Sequence, residues 1–406
     1  MDTGRSLRKE NSPRDIVSPQ GTRLAAASQI EVTLLPAYPR RFDPEFELLL
    51  AGCGPSQLDI TSLLTPELDW ERVLESAEHH RLIPALHAAL AGKVGVPSTL
   101  RVRAHKHAWR VLHFTTELKR VARSFEQHGI EFLAHKGPAL AQLLYWDPAM
   151  RQFGDLDIII RSVDFARAKK ALIELGYGPR LHLPLRQEKS LLHSGYECSF
   201  GLNSERNLLE LQWQIVPRFY SIDFDIDALF SRSIQIDLDG TSLRTMGHED
   251  LLLALCVHAA KHDWSQLAML RDIAALAGFD LNWNWIVAEA RQLGILKILQ
   301  VSLLAASKLL NSSLPAQLPS VTPGSAELAS AVVSRLQRNY EPDTESIRYF
   351  RAQLQTRERW RDRARFVWRL ATTPSVQEWQ AVQIPDRCFT AYRGVRIARL
   401  MKRFLT

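Results

Sequence analysis

The segment RQFGDLDIII sets two carboxylates, Asp155 and Asp157, one residue apart inside a run of apolar side chains. Leu156, Ile158 and Ile160 suit the buried face of a strand, and a strand's period of two then puts both aspartates on the opposite face. Their Cα atoms would lie roughly 6.5–7 Å apart, near enough for both carboxylates to reach one cation or a pair of cations. Left bare, two such charges repel each other and resist desolvation. A divalent metal removes that conflict. Oxygen-only ligands favour Mg²⁺ or Mn²⁺, and Mg²⁺ takes one or two carboxylates and completes its shell with water and substrate phosphates. Asp-x-Asp alone also fits the solvated face of an ordinary surface strand, so its neighbours decide how it is read.

Upstream, LAHKGPAL places Gly137 at a strand-to-helix turn, where backbone N–H groups and the helix N-terminus can meet an anion such as a triphosphate. Downstream, LLELQWQ puts Glu210 on one strand face with Gln212 and Gln214, polar among leucines and able to supply a third carboxylate. His258 and His262 lie at i, i+4 on an expected helix, a spacing that lets two imidazoles share a metal. Only Asp263 and His248 are near in sequence as further ligands, so packed or capping histidines are the reading preferred over zinc. Arg271 and Asp272, within an apolar helix, are expected to form a structural ion pair or cap network, and Trp264, Trp283 and Trp285 are spaced as packing residues.

The elements that must position these residues follow from periodicity. Residues 43–128 read as a helical region, with DWERVLESAEHHRLIPALHAALAG as a helix opening on Thr65-Pro66-Glu67 and stopping at Gly92. Residues 129–246 read as an α/β core: strand IEFLAHKG, helix PALAQLLYW, strand FGDLDIIIR, a helix capped by Ser162 and closed at Gly176, then a hairpin turning at NSER. Residues 247–313 read as a helical bundle. Residues 314–406 read as a linker followed by a basic helical region in which TTPSVQEWQAVQIP is an ordered loop. Residues 1–42 read as a disordered leader. The fold class is therefore α+β, a small mixed sheet flanked by helices.

HKGPALAQLLYWDPAMRQFGDLDIIIRSVDFARAKKALIELGY resembles the active-site segment of the bacterial uncharacterised nucleotidyltransferase family within the DNA polymerase beta-like nucleotidyltransferase superfamily. Shared features are the Lys-Gly-x-Ala-Leu turn, an Arg before Gly-Asp-x-Asp, and a helix ending in Leu-Gly-Tyr. LDWERVLESAEHHRLIPALHAAL, HAAKHDWSQLAMLRDIAAL and the C-terminal TTPSVQEWQAVQIPDRCFTAYRGVRIARL are similar too, so the likeness spans the chain from about residue 43. It implies that Asp155, Asp157 and Glu210 hold metal and carry catalysis, and that Gly137 is the phosphate-approaching turn. It also implies that Lys261 and His262 contact phosphate. Two departures stand out. Pro138 follows Gly137 where the superfamily has serine, which leaves the missing hydroxyl's contact to Lys136 or Arg151, and Gln212 stands where relatives often have histidine.

The implied activity is Mg²⁺-dependent transfer of NMP from an NTP, ATP among them, to an acceptor hydroxyl with release of pyrophosphate. The acceptor is a small molecule, saccharide, peptide or RNA. The alternatives are a sugar-nucleotide glycosyltransferase, disfavoured because helices rather than a long α/β half precede the acidic motif, and a non-catalytic nucleotide-binding scaffold. Cys53, Cys198, Cys256 and Cys388 form no metal or redox pair and read as reduced thiols of a cytoplasmic protein. LLLALCVHAA is too short to span a bilayer. Of the net charge of +7, residues 351–406 contribute +9, with 13 Arg or Lys against 4 Asp or Glu. That tail, with RERWRDRARFVWRL, makes nucleic acid a partner to consider, but Glu358, Asp362 and the helical period favour a packing helix.

Overall fold

Pairing between two strands far apart in sequence organises the molecule. The structure is a computed structural model that describes residues 42–54, 60–202, 209–343 and 346–405. The expected leader, except for Phe42, and the NSER turn lie outside the described residues. Helix α1 (Pro44–Cys53) starts on Asp43, whose carboxylate accepts from the Phe46 amide at 3.0 Å. The single helix expected after Thr65 is two, α2 (Trp70–His79) and α3 (Ile83–Ala89), and Asp69 rather than Thr65 caps the first. The break is a Schellman turn: the Leu82 amide donates to the Ala77 carbonyl at 2.7 Å and the Arg81 amide to that of Glu78 at 3.1 Å. Apolar spacing continues across this turn, which is why periodicity alone missed it.

After the long α4 (Ser98–Gln127) comes the core. Its elements are β1 (Phe132–Ala134), α5 (Gly137–Tyr145), β2 (Leu156–Ile160), α6 (Phe165–Glu174), β3 (Tyr177–Pro179), α7 (Leu185–Ser194), β4 (Glu197–Leu202) and β5 (Leu209–Gln212). The sheet order is β1-β2-β5-β4-β3, with β2 and β5 parallel and the other pairs antiparallel. The sequence expectation of an α+β fold with a small mixed sheet holds. One face buries Leu156, Ile158, Ile160, Leu209, Leu211 and Phe200 against Phe165 of α6 and Phe114 and Phe125 of α4. Strand β2 begins one residue after Asp155, so Asp155 sits on the approach to the strand and not within it. Ser162 opens a 3-10 turn rather than α6, and no side chain caps that helix.

Helix α8 (Ile226–Ser231) leads to a hairpin, β6 (Ile234–Leu238) and β7 (Thr241–Thr245), which the sequence reading omitted. Its turn is Asp239-Gly240, both at positive φ, the backbone a two-residue hairpin needs. Then α9 (His248–Lys261), α10 (Leu267–Ala277), α11 (Trp283–Leu293), α12 (Leu296–Leu310) and α13 (Pro323–Leu336) pack around an aliphatic core. The buried Trp264 indole donates to the Ser302 hydroxyl at 2.8 Å, while Trp283 and Trp285 pack partly buried against the same core.

The C-terminal region forms α14 (Ile347–Gln355), α15 (Trp360–Thr372), α16 (Val376–Ala381) and α17 (Tyr392–Leu405). The loop expected over TTPSVQEWQAVQIP contains α16, which a Ser375–Glu378 capping box starts. Several basic residues of the tail are committed internally: Arg396 and Arg399 pair with the buried Glu378, and Arg369 with Asp223. Among the described residues no helix is long and apolar enough to cross a membrane.

Candidate active site

The register of β2 on β5 aligns Asp157 directly beside Glu210. Adjacent residues of a parallel pair point to the same face, so the two carboxylates share the sheet face opposite Ile158 and Ile160. Asp155, Asp157, Glu210, Lys136, Arg151, Lys261 and His262 line one cavity of about 320 Å³. Gly137 packs instead against the Asp155 carbonyl, at φ 58, where a Cβ would come within 3.3 Å of that oxygen. Such a positive φ favours glycine. Pro138 then occupies the first turn of α5, where no N–H is needed.

Asp157 is 5% exposed and accepts from Lys136 Nζ at 3.0 Å and Gln212 Nε2 at 2.8 Å. Burial alone would raise its pKa, but the Lys136 charge and the neighbouring His135 hold the carboxyl below its usual value. Asp155 moves the other way, raised by burial and by the charge of Asp157. Glu210 is pushed up to about 9 by burial, then by Glu197, Asp157 and Asp155. Gln212 bridges the strands, donating to Asp157 and also toward Glu210 at 3.4 Å. Acidic groups here therefore outnumber the cations that could settle them.

Among the described residues, no three His, Cys, Asp or Glu side chains are closed into a ready metal cage. The Lys136 ammonium lies on Asp157 where a cation would neutralise it. The donor set is nonetheless oxygen-only. A buried oxygen of Glu197, Oε2, has no hydrogen-bond partner among the described residues, and the crowding that raises Glu210 is the conflict a hard divalent ion relieves. Asp155, Asp157 and Glu210 fit Mg²⁺ or Mn²⁺ by this chemistry.

The remaining wall is basic. Lys261 donates to the Tyr196 hydroxyl at 2.6 Å, and burial lowers its pKa. The His258 and His262 rings meet at a tilt of 59° with centroids 4.7 Å apart. Burial and the nearby lysines push His262 down to about 3 and His258 well below its ordinary value. Asp263 is paired with Arg335 at 3.0 Å and His248 packs on Phe279, so neither completes a zinc site with the two histidines. Arg271 and Asp272 do not pair with each other. Asp272 takes Arg151 Nε at 2.8 Å and the Tyr145 hydroxyl at 2.7 Å, while Arg271 donates to the Cys53 and Met150 carbonyls. Neighbours i, i+1 on a helix point apart, so each finds its partners on other segments, and the structural role expected of them holds. Arg81, Tyr196 and Glu197, which were not singled out in sequence, also line the cavity, as does Asp272, which the sequence marks only as structural.

A family model decides the kinship. The chain belongs to the uncharacterised nucleotidyltransferase family. The match covers residues 66–311, from ahead of α2 through the end of α12 and across every cavity-lining residue. No curated protein and no solved structure matches the chain. Family membership supports transferase activity in general and a nucleotide as substrate.

Proposed function

We propose that this chain is a divalent-metal-dependent nucleotidyltransferase of the DNA polymerase beta-like type, moving NMP from an NTP to an acceptor hydroxyl and releasing pyrophosphate. The observation that carries the reading is the in-register pair Asp157–Glu210, with Asp155 on the same cavity. Asp155, Asp157 and Glu210 would hold Mg²⁺ or Mn²⁺, which supplies neutralisation of the triphosphate and of the charge developing on its leaving oxygens. Lys136, Arg151, Lys261 and His262 would orient the phosphates around the turn at Gly137.

The acceptor oxygen forms a bond to the α-phosphorus as the bond to the β-phosphate oxygen breaks. Glu210 accepts the acceptor's proton. Without a metal the raised pKa keeps Glu210 protonated, and a divalent ion held at the three carboxylates would lower it and free the carboxylate to take that proton. Arg151 is held by Asp272, whose other oxygen accepts from the Tyr145 hydroxyl.

Helices α1–α4 precede the acidic motif, which supports this reading over a sugar-nucleotide glycosyltransferase. The non-catalytic alternative is separated by chemistry. Asp157→Asn is expected to reduce Mg²⁺-dependent pyrophosphate release from labelled NTPs by roughly 1000-fold or more, the scale set by loss of a preorganised electrostatic group. Equal release from the variant and the parent protein refutes the assignment.

A further inference from the structure

We propose that Arg81, outside the α/β core, grips the terminal phosphates of the polyphosphate ligand and is held over the cavity for that purpose by the turn between α2 and α3. The inference rests on the nucleotide-site reading above and adds a phosphate subsite to it.

Four lysines and arginines line the cavity, and three of them have acceptors within the protein. Lys136 donates to Asp157, Arg151 to Asp272, and Lys261 to the Tyr196 hydroxyl. Arg81 is exposed and its guanidinium makes no hydrogen bond or ion pair with any described residue. It lies within the electrostatic reach of Asp155, Asp157, Arg151 and Arg110 without being paired to any of them. A guanidinium with no partner among the described residues keeps its donors open to a ligand that enters the cavity. Its planar fork of donors matches phosphate oxygens two at a time.

The backbone argues the same way. Arg81 stands at the left-handed position of the Schellman turn, φ 57, which glycine fills at least cost. Placing a long charged side chain there sacrifices stability, and such strain persists where the side chain is used. The turn is also bolted down. His80 is fully buried; its Nδ1 accepts from the Leu267 amide at 3.3 Å, its Nε2 meets the Leu336 carbonyl at 3.1 Å, and its carbonyl accepts from the Ala268 amide at 3.2 Å. One residue thus locks the turn to the start of α10, whose Ala268 and Met269 line the cavity, and to the end of α13. His80 acts as a positioning residue for Arg81.

The test is calorimetric titration of inorganic tripolyphosphate into the full-length protein in Mg²⁺ buffer at low ionic strength, comparing the parent with Arg81→Gly and Arg81→Lys. A phosphate-gripping role predicts affinity at least tenfold weaker in Arg81→Gly, partial recovery in Arg81→Lys, and a melting temperature for Arg81→Gly equal to or above the parent's. A structural role predicts the reverse for melting. Affinity within twofold of the parent in Arg81→Gly, a lowered melting temperature in that variant, or no tripolyphosphate binding by the parent overturns the proposal. Pyrophosphate release from NTPs is measured on the same preparations. Loss of tripolyphosphate binding in Arg81→Gly with no release by the parent keeps the phosphate grip and removes the transferase, whereas undiminished binding with normal release does the opposite.

Discussion

Glu210 occupies a position that disfavours its own charge. It is desolvated, and Glu197, Asp157 and Asp155 all oppose its ionisation. Replacement by the neutral isostere removes that opposition without changing shape. Glu210→Gln is therefore expected to melt, without metal, at or above the temperature of the parent protein. It is also expected to lack the Mg²⁺-dependent melting shift expected of the parent, and pyrophosphate release should fall by roughly 100-fold or more, the usual contribution of a positioned base. Thermal denaturation with and without Mg²⁺ checks the first two together. A variant that melts well below the parent would show that Glu210 is structural. Residue identity was the most readable layer of the site: Asp155, Asp157 and Glu210 were picked out by polarity against an apolar alternation. Arg81 and Glu197 were not, because neither breaks a local pattern and their neighbours come from distant segments.

At the scale of elements, the turn between β1 and α5 controls how closely the chain approaches Asp155. Gly137→Ala forces a Cβ to within 3.3 Å of the Asp155 carbonyl at φ 58. It is expected to cost about 1–2 kcal/mol of stability from the left-handed backbone alone. Urea unfolding measures this, and catalytic loss should exceed what the stability change explains because Asp155 itself is displaced. Long periodic segments such as α4 and α9 were legible, as were β1, β2 and the β4–β5 pairing. Breaks were not. The α2–α3 turn uses arginine where glycine would have announced it, and α16 hides in a segment rich in loop-forming residues. The β6–β7 hairpin does carry a local sign, Asp239-Gly240 between alternating apolar residues.

Across the whole molecule, His80 joins three stretches of chain that lie far apart in sequence. Burial is the main reason its pKa is lowered from 6.5 to about 3. The unfolded chain takes up a proton below pH 6.5, while the folded protein resists it until about 3, so the unfolded state binds more protons throughout that window. Stability should accordingly fall as the pH drops through this range, with His80 contributing about 1.4 kcal/mol per pH unit, and be insensitive to this group above it. His80→Gln should flatten the acid limb of a denaturation series by that slope while weakening the protein at neutral pH. An unchanged limb would mean that the imidazole is protonated inside the fold.

The pairing of β2 with β5 spans about fifty residues of intervening chain. Until the segment ending at Gln212 has been synthesised and has found its partner, Asp157 faces no Glu210, and a growing polypeptide carries half of an acidic pair with nothing to complete it. Parallel neighbours joined by so long a crossover close slowly. Competence to engage nucleotide should therefore arrive late, and all at once, in the birth of each molecule.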